Sequence, residues 1–202
     1  MNKTIKHIIQ ASIETKQALL QNESIIQTIQ ECVHIITNAF KTGNKVLFCG
    51  NGGSAADAQH LAAELSGSFY KDRKCLPAEA LHVNGSYLTA VANDHGFELV
   101  YSRLVAGFGQ KGDVLIAIST SGNSINIVNA VIAAKEKGMS TIGLTGASGG
   151  TLKTLCDFLI NVPSADTPRI QEAHILIGHI ICELVEEKYF GNTEPNEKKL
   201  VE

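Results

Sequence analysis

Lys45-Val-Leu-Phe-Cys49 running into Gly50-Asn-Gly-Gly-Ser54, and Asp113-Val-Leu-Ile-Ala-Ile118 running into Ser119-Thr-Ser-Gly-Asn-Ser124, are the two stretches that decide the fold. Each is a short apolar run that spills into a glycine- and hydroxyl-rich turn and then into a helical pattern. Glycines let backbone N–H groups approach a bound oxyanion, hydroxyls add donors, and the following helix N-terminus contributes partial positive charge. Phosphate is the ligand these features suit best. One hydroxyl suffices as a helix cap, so the four at Ser119, Thr120, Ser121 and Ser124 exceed what an ordinary strand-to-helix turn needs. Neither turn continues into Gly-Lys-Ser/Thr or has the Gly-x-Gly-x-x-Gly spacing, which disfavours a nucleotide.

Working outward, strand-like runs at about 45–49, 78–82, 113–118, 140–144 and 157–162 alternate with helical patterns at about 54–67, 85–92, 97–108, 124–137 and 168–189. That alternation predicts an α/β fold, a central parallel sheet with helices on both faces. Ligands in such sheets sit at the carboxyl ends of strands, where both turns fall. Two further helical patterns, about 3–21 and 24–42, open the chain as a helical pair, the second stopping at Gly43. The expected organisation is one domain: N-terminal helices over 1–44 that serve as an oligomer contact, a core over 45–190, and a polar, fraying tail over 191–202.

Composition narrows the function. The chain has 202 residues, 44% hydrophobic and 18% charged, enough for one sizeable core. A net charge of -3 without a Lys/Arg block argues against direct nucleic-acid binding. Five scattered cysteines without a Cys-x-x-Cys pair read as reduced cytosolic thiols. With no signal-like apolar stretch among the first residues and no run long enough for a membrane span, the expected location is cytoplasmic.

Candidate chemistry lies on two of the helices. His60 and Glu64 stand at i and i+4, about 40° apart around a helix. On the last helix Glu172 and His179 share a face within about 20°, while Gln171 and His179 differ by about 80°. These groups have the make-up of a first-row-metal site or of an acid/base pair. The competing readings are a solvated surface pair for His60–Glu64 and a hydrogen-bonded core histidine for His174 or His179. His179 sits between Gly178 and Ile180 in an otherwise apolar helix, where an imidazole needs a partner or a task.

At these residues the chain resembles the phosphosugar-isomerase (SIS) family, and within it the phosphoheptose isomerases. The likeness rests on Cys49–Leu65, Val91–Phe97, Gly112–Ser124, Leu144–Gly150 and Arg169–His174, and covers roughly residues 1–190. The resemblance implies a SIS-type domain that interconverts sedoheptulose 7-phosphate and a heptose 7-phosphate. It implies phosphate contacts at Ser119, Thr120, Ser121 and Ser124, and sugar contacts at Asn51, Gly52, Gly53, Ser54, Glu64, Asn93, Asp94 and Gln171. It further implies one zinc per subunit on His60, Glu64, Gln171 and His179, Glu64 and His179 as the acid/base pair, and a homotetramer with sites at subunit contacts. The stretch Pro163–Arg169 departs from some members, and Asp166 and Thr167 enter only as substrate-side candidates. Two other readings remain: a non-catalytic adaptor of this fold that binds the bacterial replication initiator, and a sugar-phosphate-sensing domain, for which the chain has no room for the usual partner domain.

Overall fold

The computed structural model describes residues 1–191, and the tail beyond Gly191 lies outside the described residues. Five strands, β1 (Val46–Gly50), β2 (Ala78–Ala80), β3 (Val114–Ile118), β4 (Ser140–Thr145) and β5 (Phe158–Asn161), form one sheet in the order β2-β1-β3-β4-β5. Every pairing is parallel, with Val46 beside Ala78 and Val114, and Val114 beside Ser140. The chain steps outward from β1 to β2, then returns to place β3 on the other side of β1. The β1/β3 boundary is therefore the topological switch point, the crevice in which ligands of such sheets bind.

The two central apolar runs form strands because both are buried on both faces. β1 and β3 are buried at every position. Alternate residues serve different layers: Val46, Phe48, Ile116 and Ile118 join one core with α2 (Glu23–Lys41), α3 (Gly53–Ser66) and α8 (Thr167–Phe190). Leu47, Cys49, Leu115 and Ala117 join a second core with α5 (Val100–Phe108) and α6 (Ile125–Glu136). α2 is capped by Asn22, whose side chain accepts from the Ile25 N–H, and it ends at Thr42–Gly43, with Gly43 at φ 78°. α1 (Asn2–Leu20) buries only Thr15 and Leu19, leaving Ile5, Ile8, Ile9 and Ile13 in the open.

Three details differ from the sequence expectation. The pattern over 97–108 opens with a 3-10 turn, Phe97–Leu99, before α5 begins, and α4 (Gly85–His95) runs past the expected 92 until Gly96, at φ 91°, ends it with a conformation that a continuous helix excludes. β2 stops at Ala80: Leu81 still donates its N–H to the Phe48 carbonyl, but the chain then turns into α4. A four-residue helix, α7 (Leu152–Leu155), follows the Gly149–Gly150 break, seating Leu152 in the core. No described helix is long and apolar enough to cross a membrane.

Candidate active site

Both glycine- and hydroxyl-rich turns lie at the switch point, and they are joined. Asn51 and Asn126 exchange two amide hydrogen bonds of 2.9 Å, tying the turn after β1 to the first turn of α6. Asn126, buried and bonded to the Ile127 N–H as well, was not singled out in the sequence. Its signal was slight, one of two asparagines, with Asn129, inside an otherwise apolar helical pattern. Gly52, at φ 56°, occupies the N-cap of α3 without a side chain to cap it, and Ser54 is buried in the first turn.

The second turn is laced to the loop after β4. Asn123 Oδ1 accepts from the Thr151 N–H and hydroxyl, and Gly146 donates to the Thr120 carbonyl. Gly122 runs at φ 68° so close under the Gly149 carbonyl that a methyl there would collide with it. Ser119 and Ser124 bring their hydroxyls to 3.1 Å, and Ser124, at the N-cap of α6, bonds no helix N–H with its side chain. The hydroxyl at the cap position is thus left facing another hydroxyl at the mouth of the helix. An anion placed there meets donors from Ser119, Ser124 and the α6 N-terminus together.

The second cluster lies at the far end of α3. α3 and α8 pack side by side, Gly178 letting the Leu61 side chain press on the α8 backbone. That contact brings His60 Nε2 to 2.9 Å from His179 Nε2 and to 3.1 Å from Glu64 Oε1. The donor atoms of His60, Glu64 and His179 all fall within 4.8 Å of one another. Glu64 is 23% exposed and His60 50%, so the cluster opens to solvent. Two imidazole nitrogens facing each other need a proton or a cation between them. With a carboxylate beside them they form a His₂Glu donor set that suits zinc with an open position. The Phe69 ring lies 5.7 Å from the His179 ring. One turn before His60, Asp57 has a buried carboxylate oxygen without a partner, and burial pushes its carboxyl up against the lowering influence of His60.

Other sequence candidates fall elsewhere. Gln171 holds its amide against the turn: a methyl built on Gly53 would lie 2.6 Å from Gln171 Nε2. Eight residues separate Gln171 from His179, about 12 Å of helix rise. Within one chain, then, the structure converges His60, Glu64 and His179 and puts Gln171 at the other end of the α3–α8 contact. Asn93 and Asp94 sit exposed on the last turn of α4, bonded to each other at 2.8 Å. Asp166 and Thr167 are exposed at the start of α8. Glu172, sharing a face with His179 by spacing, turns instead to Arg169 (2.6 Å) and the Ser12 hydroxyl (2.6 Å).

His174 is the core histidine. It is fully buried, with Nε2 3.1 Å from the Thr145 carbonyl and Nδ1 unpartnered. Burial pulls its pKa down to about 4, against the raising effect of the Thr145 bond. A folded-state value below the unfolded one means that the unfolded chain takes up the proton first, so stability is present above about pH 6.5 and is lost as pH falls toward 4. This residue is expected to remove about 2 kcal/mol between pH 7 and pH 5. Urea unfolding at both pH values should show that His174→Asn loses less stability over this step than the parent protein by that amount. Equal losses would contradict the assignment.

Comparison with known proteins places these features. Residues 10–146 match the SIS domain family. The chain is 54% identical to the phosphoheptose isomerase of Clostridium acetobutylicum over 95% of its own length and 97% of that protein's. It is 52% identical to that of Aneurinibacillus thermoaerophilus, with the same shares. Among solved structures, phosphoheptose isomerase from Neisseria gonorrhoeae superposes with a TM-score of 0.86 at 40% identity, covering 92% of this chain and 98% of the other. The phosphoheptose isomerase from Francisella tularensis gives 0.88 at 36% identity, over 92% and 97%.

Proposed function

Because this chain belongs to the SIS domain family and, within it, to the phosphoheptose isomerases, we propose that it converts sedoheptulose 7-phosphate to D-glycero-D-manno-heptose 7-phosphate through an enediol. This would be the first step toward a nucleotide-activated heptose. The observation that carries the reading is the convergence of His60, Glu64 and His179 in a fold whose switch point holds a hydroxyl-lined anion cradle.

In this reading Ser119, Thr120, Ser121 and Ser124 hold the 7-phosphate, with Asn51, Gly52, Gly53 and Ser54 shaping the adjoining wall. Asn93, Asp94 and Gln171 contact the sugar. Glu64 takes the proton from carbon 1, and His179 supplies a proton to the carbonyl oxygen at carbon 2 as the enediol forms. His60, Glu64 and His179 are the residues to hold one zinc per subunit, which when bound would steady the negative charge developing on the sugar oxygens. Asn51, locked to Asn126, keeps the two turns in register for the phosphate.

We also assign the working form as a homotetramer in the cytoplasm. Support comes from α1, where Ile5, Ile8, Ile9 and Ile13, each 43–54% exposed, make an apolar stripe that a second copy would cover. The N-terminal segment 1–44 is then an oligomer contact, and 45–190 the sugar-phosphate core. Gln171, beside Gly53, and His179, beside His60, lie about 12 Å of helix rise apart on α8, at opposite ends of the α3–α8 contact. That spacing supports a site completed across a subunit contact, with Gln171 of a second copy as the fourth metal ligand. The adaptor reading has no observation in its favour.

The test is a His179→Gln variant with zinc measured in both proteins. It should lose one of the metal's nitrogen donors and the acid at once, lowering kcat about 10²–10⁴-fold. Parent protein purified without chelator should carry zinc near one per subunit. A metal-free sample that retains full activity would remove the metal from the account, and an unaltered kcat in the variant would remove His179 as the acid.

A further inference from the structure

Behind the acid/base cluster lies a buried ion pair that neither the sequence motifs nor the proposed chemistry uses. Arg73 and Glu186 are 3% and 1% exposed at their side chains, with Arg73 Nε 2.7 Å from Glu186 Oε2. A buried pair of this kind stabilises little by itself, since desolvation offsets its attraction. Its connections are the informative part. Arg73 donates to the carbonyls of Glu64 (2.8 Å), Leu65 (2.8 Å) and Gly67 (2.9 Å), so one guanidinium caps the C-terminal end of α3 at the residue that carries the base. Glu186, on α8 two turns beyond His179, accepts from the N–H groups of Phe69 (3.2 Å), Tyr70 (2.9 Å) and Lys71 (2.9 Å). Burial pushes the Glu186 carboxyl up, but the bonds from Arg73 and from this loop outweigh it and hold it below the usual carboxylate range. The loop so fixed carries Phe69, whose ring lies against His179. The Arg73 guanidinium also lies over the Phe190 ring, at 5.4 Å.

We propose that Arg73 and Glu186 are positioning residues for the isomerisation: through the α3 terminus they set Glu64, and through Phe69 they set His179. This rests on the reading of Glu64 and His179 as the acid/base pair. The planar fork is what reaches Glu186 and three carbonyls together. Lysine in its place keeps the charge but cannot span them.

Two variants test it, Arg73→Lys and Phe69→Leu, each followed by steady-state kinetics on sedoheptulose 7-phosphate and by the imidazole NMR signals of His60 and His179. Groups that orient a site in this way are worth about 10–100-fold. Both variants should lose kcat by that factor while KM stays within about twofold, because the phosphate cradle is untouched, and both should displace the His179 signal. A protein weakened only in stability would lose kcat in proportion to its folded fraction and keep the imidazole signals of the remainder in place. If Arg73→Lys does not fold, Phe69→Leu decides alone, since it keeps the backbone bonds to Glu186. Native kcat and an undisplaced His179 signal in that variant would overturn the proposal. Should the parent protein lack isomerase activity, the functional reading fails, and the imidazole signals still decide the positioning.

Discussion

Glu64→Gln is expected to lower kcat by about 10²–10⁴-fold while leaving the fold intact, and to abolish exchange of the carbon 1 hydrogen of sedoheptulose 7-phosphate with solvent deuterium. The amide keeps the size and an oxygen donor but cannot accept a proton from carbon. The exchange measurement matters because Glu64 Oε1 also faces His60 Nε2 at 3.1 Å, so its loss can disturb a bound metal as well as remove a base. Zinc content is therefore to be measured beside the rate. A variant that keeps its metal and exchanges carbon 1 at a near-native rate would show that another group takes the proton.

Removing the substrate's phosphate should be comparably severe. Free sedoheptulose lacks the group assigned under the proposed function to the Ser119–Ser124 turn and the α6 N-terminus, and two charge-assisted bonds there, each about 1.5–3 kcal/mol, amount to about 10²–10⁴-fold in kcat/KM. Binding energy at the remote end positions the reacting end, so kcat should fall as well as affinity. Competition with inorganic phosphate provides the complementary readout, and comparable kcat/KM for the free and phosphorylated sugars would contradict the role of the cradle.

The parallel sheet was legible in the sequence because Val46–Cys49 and Val114–Ile118 are apolar at every position, a pattern that only burial on both faces permits. The two turns were legible for the same reason in reverse, their surplus of glycine and hydroxyl groups having no use in the core. His60 and Glu64 could be paired because four residues along a helix fix their relation. Juxtapositions between distant segments left no comparable trace. The Asn51–Asn126 pair spans 75 residues and Arg73–Glu186 spans 113, and no local periodicity encodes either. The break at Gly96 lies between the helical patterns expected at 85–92 and 97–108, but the 3-10 turn Phe97–Leu99 left no trace of its own, because its residues run on into the helical pattern of Val100–Phe108. Gln171 shows the limit of spacing arguments. An eight-residue interval fixes an angle around a helix but says nothing of the neighbour, which for Gln171 is Gly53. The tail predicted to fray from Asn192 onward lies outside the described residues.

The deciding measurement is to incubate the purified protein with sedoheptulose 7-phosphate and follow the mixture by NMR. The ketose signals should fall and an aldose heptose signal should grow with the 7-phosphate retained, to an equilibrium reached equally from the aldose side. Sedoheptulose 7-phosphate recovered unchanged from folded, zinc-supplied protein would contradict the proposed isomerisation.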